Sequence, residues 1–235
     1  MISLVAIHQP NFFPWLGYFD KIRRSDIFIF LDAVDYPRSG SGGMGSWVNR
    51  VQLSINGQAR WLTCPLKRLR QGVPILAAEI DDSQPWRKKV ARTLEMNYRR
   101  ATQFERAMEF LLPLLECRET NLAAFNISAI RTIARHLGIA ARFVRQSEID
   151  SQGQATERLI SLVKAVGGSA YLAGGGAGGY QQDELFKIAG VDLLYQGFTP
   201  QKYGPAERFL PGLSVIDYLM HDGRPLAEAF PDRSI

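Results

Sequence analysis

His8, Gln9 and Asn11 fall together in MISLVAIHQPNFFPWLGYFDK, where an apolar, partly β-branched run ends and a turn through Pro10 begins. An imidazole there can take a proton from a reacting group or donate to developing charge, because its ordinary pKa lies near 6.5. The Gln9 and Asn11 carboxamides suit the amides and hydroxyls of a substrate. A buried histidine bonded to backbone, beside an asparagine that only shapes the turn, would read the same way. A second set is Asp32, Tyr36, Asn49 and Arg50, of which Asp32 closes the run Ile27–Leu31 and Arg50 follows a glycine-rich stretch. Arginine is the natural fork for a carboxylate or phosphate, and Asp32 could orient it or accept from a ligand hydroxyl or amine. A purely structural Asp–Arg pair has the same signature. The third set is YLAGGGAGGY, with Tyr171, Gly174, Gly175, Gly176 and Tyr180, where glycines let backbone N–H groups approach an anion. GxGxxG is formally present at Gly174, Gly176 and Gly179, without the Lys-Ser/Thr of a P-loop or the acidic residue of a dinucleotide fingerprint.

No nucleophile stands out. No Ser/His/Asp spacing recurs, His136 and His221 lie in helical stretches, and Cys64 beside Pro65 has no activating neighbour. With 3 histidines and no carboxylate motif of metal spacing, a metal is not expected, and no cofactor is designated.

These groups need elements to hold them. Ser3–Ile7 reads as a strand, Pro14 suits a helix start, and Ile27–Leu31, apolar on both faces, reads as a buried parallel strand. The right-handed crossover of such a βαβ unit brings the turn at His8 and Asp32 to one sheet edge, where open α/β sheets bind ligands. After PRSGSGGMG, the alternation Val51–Ile55, then Asn56-Gly57, then Ala59–Pro65 predicts a hairpin, with Pro74–Ile80 as a further strand. Helical spacing runs from Trp86 to about Glu116 with a break or kink at Pro113, and again over Asn121–Leu137 with Asn121 as cap. Arg142–Val144, Ala170–Ala173 and Asp192–Tyr195 read as strands, and Thr156–Val166, Glu184–Ala189 and Ser214–His221 as helices. Ser214 fits a helix cap, with Asp217 in the first turn where a carboxylate favours the dipole.

The fold class that follows is α/β, a Rossmann-like mostly parallel sheet flanked by helices. A small antiparallel β excursion follows the second strand, and a helical segment occupies the middle. One domain over 1–235 is expected, with 37–80 a hairpin insertion, 86–137 the helical segment and 156–235 the second half of the sheet. A hydrophobic content of 46% is ample for one core. The net charge of +5 comes from 28 Lys+Arg spread among 23 Asp+Glu, which permits an anionic small ligand. The absence of a basic run argues against specific nucleic-acid binding. Cys64 and Cys117 lie far apart with neither zinc nor redox spacing. The opening residues lack a basic leader, and nowhere do about 18 apolar residues run uninterrupted, so a cytoplasmic protein without membrane insertion is expected.

The opening also resembles the nucleotidylyltransferase and class I synthetase superfamily, whose first strand leads to an HxGH box. The corresponding residues are Trp15-Leu16-Gly17-Tyr18, with aromatics in place of both histidines, which leaves nucleotidyl transfer with an altered box as an alternative. Over nearly the full length, HQPNFFPWLGYFDKI, FLDAVDYPRSG, WVNRVQL, WLTCPL, SAYLAGGGAGGY, YQGF and SVIDYLMHDG resemble the WbqC-like protein family. Ala33 stands where that family commonly has a second acidic residue, and the loop Gly40–Gly45 is long for it. The family is associated with gene clusters for bacterial O-antigen and other surface polysaccharides, so the resemblance implies work on activated sugars. Joined to the polar cluster and the glycine loop, it points to transfer of an acyl or aminoacyl group to a nucleotide-linked amino sugar. The partner is then an anionic small molecule, a nucleotide-sugar or acyl donor. The alternative from another class is a non-catalytic module that binds a nucleotide-sugar or glycan precursor by stacking on Phe12, Phe13, Trp15 and Tyr18.

Overall fold

Among the described residues seven strands form in chain order: β1 (Leu4–His8), β2 (Ile27–Phe30), β3 (Arg50–Ile55), β4 (Gln58–Thr63), β5 (Arg142–Arg145), β6 (Ala170–Ala173) and β7 (Asp192–Tyr195). The computed structural model describes residues 3–37, 46–174 and 182–230. Two compact units contain them, one of residues 1–9, 17–33 and 139–199, the other of 10–16, 34–138 and 200–235. The expected hairpin and helical segments both fall in the second unit.

The first unit is built on a parallel sheet of order β5-β2-β1-β6-β7. β1 is the hinge of that order. The chain adds β2 and β5 on one side of it, then returns to add β6 and β7 on the other, so the direction of winding reverses between β1 and β6. β2 and β6 are buried at every position, and β1 at all but His8, because helices cover both faces and no alternation is needed. One face packs Val5, Ile7, Ile29 and Tyr171 in a core with Leu162 and Val163 of the helix over Ala155–Ala165 and Phe186 of the helix over Asp183–Ile188.

In the second unit β3 and β4 pair only with each other, as a two-stranded sheet. Asn56 (φ 53°) and Gly57 (φ 74°) both take the left-handed conformation that a tight hairpin turn demands, as Asn-Gly predicts. The helices are α1 (Leu16–Arg23, mostly in the first unit), α2 (Trp86–Tyr98), α3 (Phe104–Glu116), α4 (Leu122–His136), α5 (Ala155–Ala165), α6 (Asp183–Ile188), α7 (Val215–His221) and α8 (Leu226–Ala229). Asn121 caps α4 by accepting from the Ala124 N–H, and Ser214 caps α7 by accepting from the Ile216 N–H. No helix of the described residues is long and apolar enough to cross a membrane.

Two elements differ from their sequence pattern. The helical stretch after Trp86 divides between α2 and α3, and Pro113 sits inside α3 without breaking it. The division has a tertiary cause: Gln103 N–H bonds to the carbonyl of Met220 on α7, outside the helical ladder. Pro74–Ile80 is not a strand but a 3₁₀ turn at Ile75–Ala77. Its two ends bond to different segments, Ile75 N–H to Val34 and Ile80 N–H to Thr120, so no continuous ladder can form.

Candidate functional site

β1 and β6 part company at their carboxyl ends, and the side chains gathered there in the first unit are His8, Tyr18, Lys21 and Tyr171, with Gly174 just past β6. α1 carries two of them. Its residues Phe19 and Ile22 are fully buried, and Tyr18 and Lys21 share that inner side with 1% and 3% exposure. A lysine one helical turn beyond Tyr18 is thereby carried into the interior. Its Nζ donates to the Ile7 carbonyl at 2.9 Å and lies 5.6 Å from the centre of the Tyr171 ring. A Cβ on Gly174 would stand 3.9 Å from the same nitrogen.

Burial holds the Lys21 amine down at about 7, so near neutral pH both the amine and the ammonium are populated. His8 is partly exposed and edge-on to the Tyr18 ring at 4.8 Å. Its Nδ1 lies 3.2 Å from the Gln9 carbonyl, which also accepts from the Tyr18 hydroxyl at 2.9 Å. A carbonyl can only accept, so Nδ1 carries the proton and Nε2 is the acceptor of the ring. Desolvation, then the Lys21 charge, lowers the His8 pKa to about 3, against a small opposing effect of the Gln9 carbonyl. The imidazole is therefore neutral at all ordinary pH, an orienting acceptor and a weak base. The stronger base of the pair is Lys21.

Asp32 has a structural explanation. Its carboxylate is fully buried and accepts from Arg145 Nε (2.8 Å), Ser147 N–H (3.0 Å) and Ser147 Oγ (2.9 Å). Together with Gln146 Oε1, which accepts from Ala33 N–H, it fastens the end of β2 to the end of β5. Its arginine partner in the first unit is Arg145. Tyr171 belongs to the core, stacked on Phe186 at 5.4 Å with rings 6° from parallel. Gly175, Gly176 and Tyr180 lie outside the described residues.

The remaining candidates belong to the second unit. Asn49 is a structural clip: its Oδ1 accepts from the Tyr36 hydroxyl (2.6 Å) and the Ser46 N–H (3.0 Å), and its Nδ2 donates to the Cys64 carbonyl (2.9 Å). Asn11 is buried, and its Oδ1 has no hydrogen-bond partner among the described residues. The Arg50 guanidinium stacks 4.2 Å above the Trp61 ring. Trp61 packs edge-on to Trp47 at 4.9 Å, and Trp47 is tilted against Trp15 at 5.4 Å. Trp47 and Trp61 are 39% and 41% exposed, a ladder of indoles at the surface. Phe12 and Phe13, by contrast, are core residues. Among the described residues no group of three or more His, Cys, Asp or Glu could hold a metal ion.

The site residue that reading from sequence missed is Lys21. The signal was its place three residues after Tyr18, between Phe19 and Ile22, on a helix with no polar side to spare there.

A family model described as the WbqC-like protein family matches residues 9–228. A protein of Mycobacterium tuberculosis, the uncharacterized protein Rv1507c, is 29% identical over 225 residues, which cover 93% of this chain and 94% of that one. No solved structure matches the chain.

Proposed function

The chain belongs to the WbqC-like protein family, and from that premise we propose that it is a cytoplasmic transferase of surface-polysaccharide assembly, which moves an acyl or aminoacyl group onto a nucleotide-linked amino sugar. The observation that carries this reading is a half-neutral buried amine, Lys21, beside the neutral imidazole of His8 at the point where the sheet reverses its winding. Ligands of open parallel sheets lie at that point. Gly174 lies beside this amine, where a Cβ would stand 3.9 Å from Nζ.

In this reading the acceptor's amino nitrogen attacks the carbonyl carbon of an activated acyl donor. A C–N bond forms and the bond from that carbon to the donor's sulfur or oxygen breaks, with its electron pair leaving on the donor. The proton lost from nitrogen passes to the Lys21 amine, whose pKa near neutrality suits a general base. His8 Nε2 accepts from the second N–H and holds the nucleophile in line. When the donor leaves, the Lys21 ammonium returns the proton to it.

A second reading, a binding module for a nucleotide-sugar or glycan precursor, draws on the Trp15–Trp47–Trp61 ladder, exposed at Trp47 and Trp61, with its stacked Arg50. Aromatic faces of that kind suit sugar rings and bases. One experiment separates the two: incubation with acyl and aminoacyl donors and nucleotide-linked amino sugars, read by mass spectrometry of the product. For a transferase, product forms and His8→Ala lowers turnover at least about tenfold while the protein stays folded. Binding without product, abolished by Trp61→Ala and untouched by His8→Ala, selects the module.

A further inference from the structure

The second unit contains a polar cavity of about 550 Å³ that takes no part in the transfer chemistry. Its floor is formed by the start and end of α7. Asp217, 5% exposed, accepts from the Tyr98 hydroxyl at 2.8 Å, and that hydroxyl in turn accepts from the Ser54 N–H at 3.0 Å. The Tyr203 hydroxyl also interacts with the Asp217 carboxylate. One turn further along the helix, the His221 ring lies edge-on to Tyr98 at 6.0 Å. Its Nδ1 is buried and has no hydrogen-bond partner among the described residues. The ring reaches this position because Gly204 (φ +63°) is bare: a Cβ there would fall 2.9 Å from that of His221. At the rim stand Arg99 and Arg100, just past the end of α2, both exposed and neither in an ion pair among the described residues.

A buried imidazole nitrogen without a partner is destabilising, and a ligand hydroxyl would satisfy it. Two unengaged guanidiniums at the mouth of a polar cavity match the oxygens of a phosphate. Tyr203, set edge-on against Phe209 at 5.1 Å, supplies an aromatic wall of the kind that takes the apolar face of a sugar ring. A cavity of this size accommodates a small metabolite. We propose that it binds a hexose monophosphate, with ring hydroxyls on the Asp217 carboxylate and His221 Nδ1 and the phosphate on Arg99 and Arg100. The site uses none of the residues assigned to group transfer, so its loss and the loss of transfer are separable.

The test is isothermal titration of the full chain with glucose 1-phosphate, glucose 6-phosphate, mannose 6-phosphate and galactose 1-phosphate, with glucose and inorganic phosphate as controls. At least one sugar phosphate should bind with a Kd below about 1 mM. It should bind at least about tenfold more tightly than either control, since ring and phosphate contacts add. The double variant Arg99→Gln/Arg100→Gln, confined to exposed side chains, should weaken that binding at least about tenfold with an unchanged thermal midpoint. His221→Ala should weaken it without touching the binding of inorganic phosphate. The proposal is overturned if no sugar phosphate binds below about 1 mM, if inorganic phosphate binds equally well, or if the double variant binds like the wild type.

Discussion

Replacing Lys21 with methionine should raise the stability of the protein at pH 7 and abolish its transfer activity. The side chain is 3% exposed, with one hydrogen bond to the Ile7 carbonyl and the face of Tyr171 nearby, and desolvation lowers its pKa from 10.5 to about 7. Below pH 7 both folded and unfolded chains carry the proton, and folding bears the whole cost of burying the charge. Between about 7 and 10.5 the unfolded chain holds a proton that the folded chain sheds, so wild-type stability climbs with pH across that window. Methionine matches the lysine stem in volume and has no charge to bury. A gain of roughly 1–3 kcal/mol at or below neutrality is expected, diminishing as pH approaches 10.5. For a chain of this length each kcal/mol is worth about 2–4 °C in Tm. A variant that melts lower than the wild type at pH 7, or turns over at the wild-type rate, contradicts the assignment.

Asp32→Ala should do the opposite to stability. Three donors converge on this fully buried carboxylate, two from Ser147 and one from Arg145, and together they hold the end of β2 to the end of β5. Removing one partner of a buried charged network typically costs about 3–5 kcal/mol. Part of that is spared here because Arg145, with its side chain 35% exposed, can turn to water. The expected loss is about 3 kcal/mol, measured as a drop in the urea midpoint at constant slope. Were Asp32 a ligand group alone, the substitution would leave the midpoint in place and change only substrate affinity.

The strands of the first unit were legible because a sheet covered on both faces needs continuous apolar runs, and Val5–Ile7 and Ile27–Phe30 are such runs. The hairpin was legible because Asn-Gly meets a local conformational demand. The helix caps at Asn121 and Ser214 were legible for the same reason: the bonds they make span two or three residues. The strand order was not explicit, since β1 pairs with β6 and β2 with β5 across more than a hundred residues of chain. Arg145 as a partner of Asp32 was hidden on the same ground, since only the register of β2 on β5 delivers it opposite Phe30. Lys21 was passed over because a lysine on a helix is ordinarily solvated, and only the burial of Tyr18, Phe19 and Ile22 around it shows that this one is not. Asp217 was understood as a favourable charge in the first turn of α7, a role compatible with its position but silent about Tyr98 and the cavity.

The central claim is that the β1–β6 edge carries an amine able to accept a proton near neutral pH. A titration of the Lys21 side chain by ¹³Cε chemical shift, assigned by its disappearance in Lys21→Met, reads that amine directly. The expected midpoint is about 7. A midpoint at the ordinary lysine value of 10.5 would leave a permanently charged ammonium at the sheet edge and contradict its role as the base.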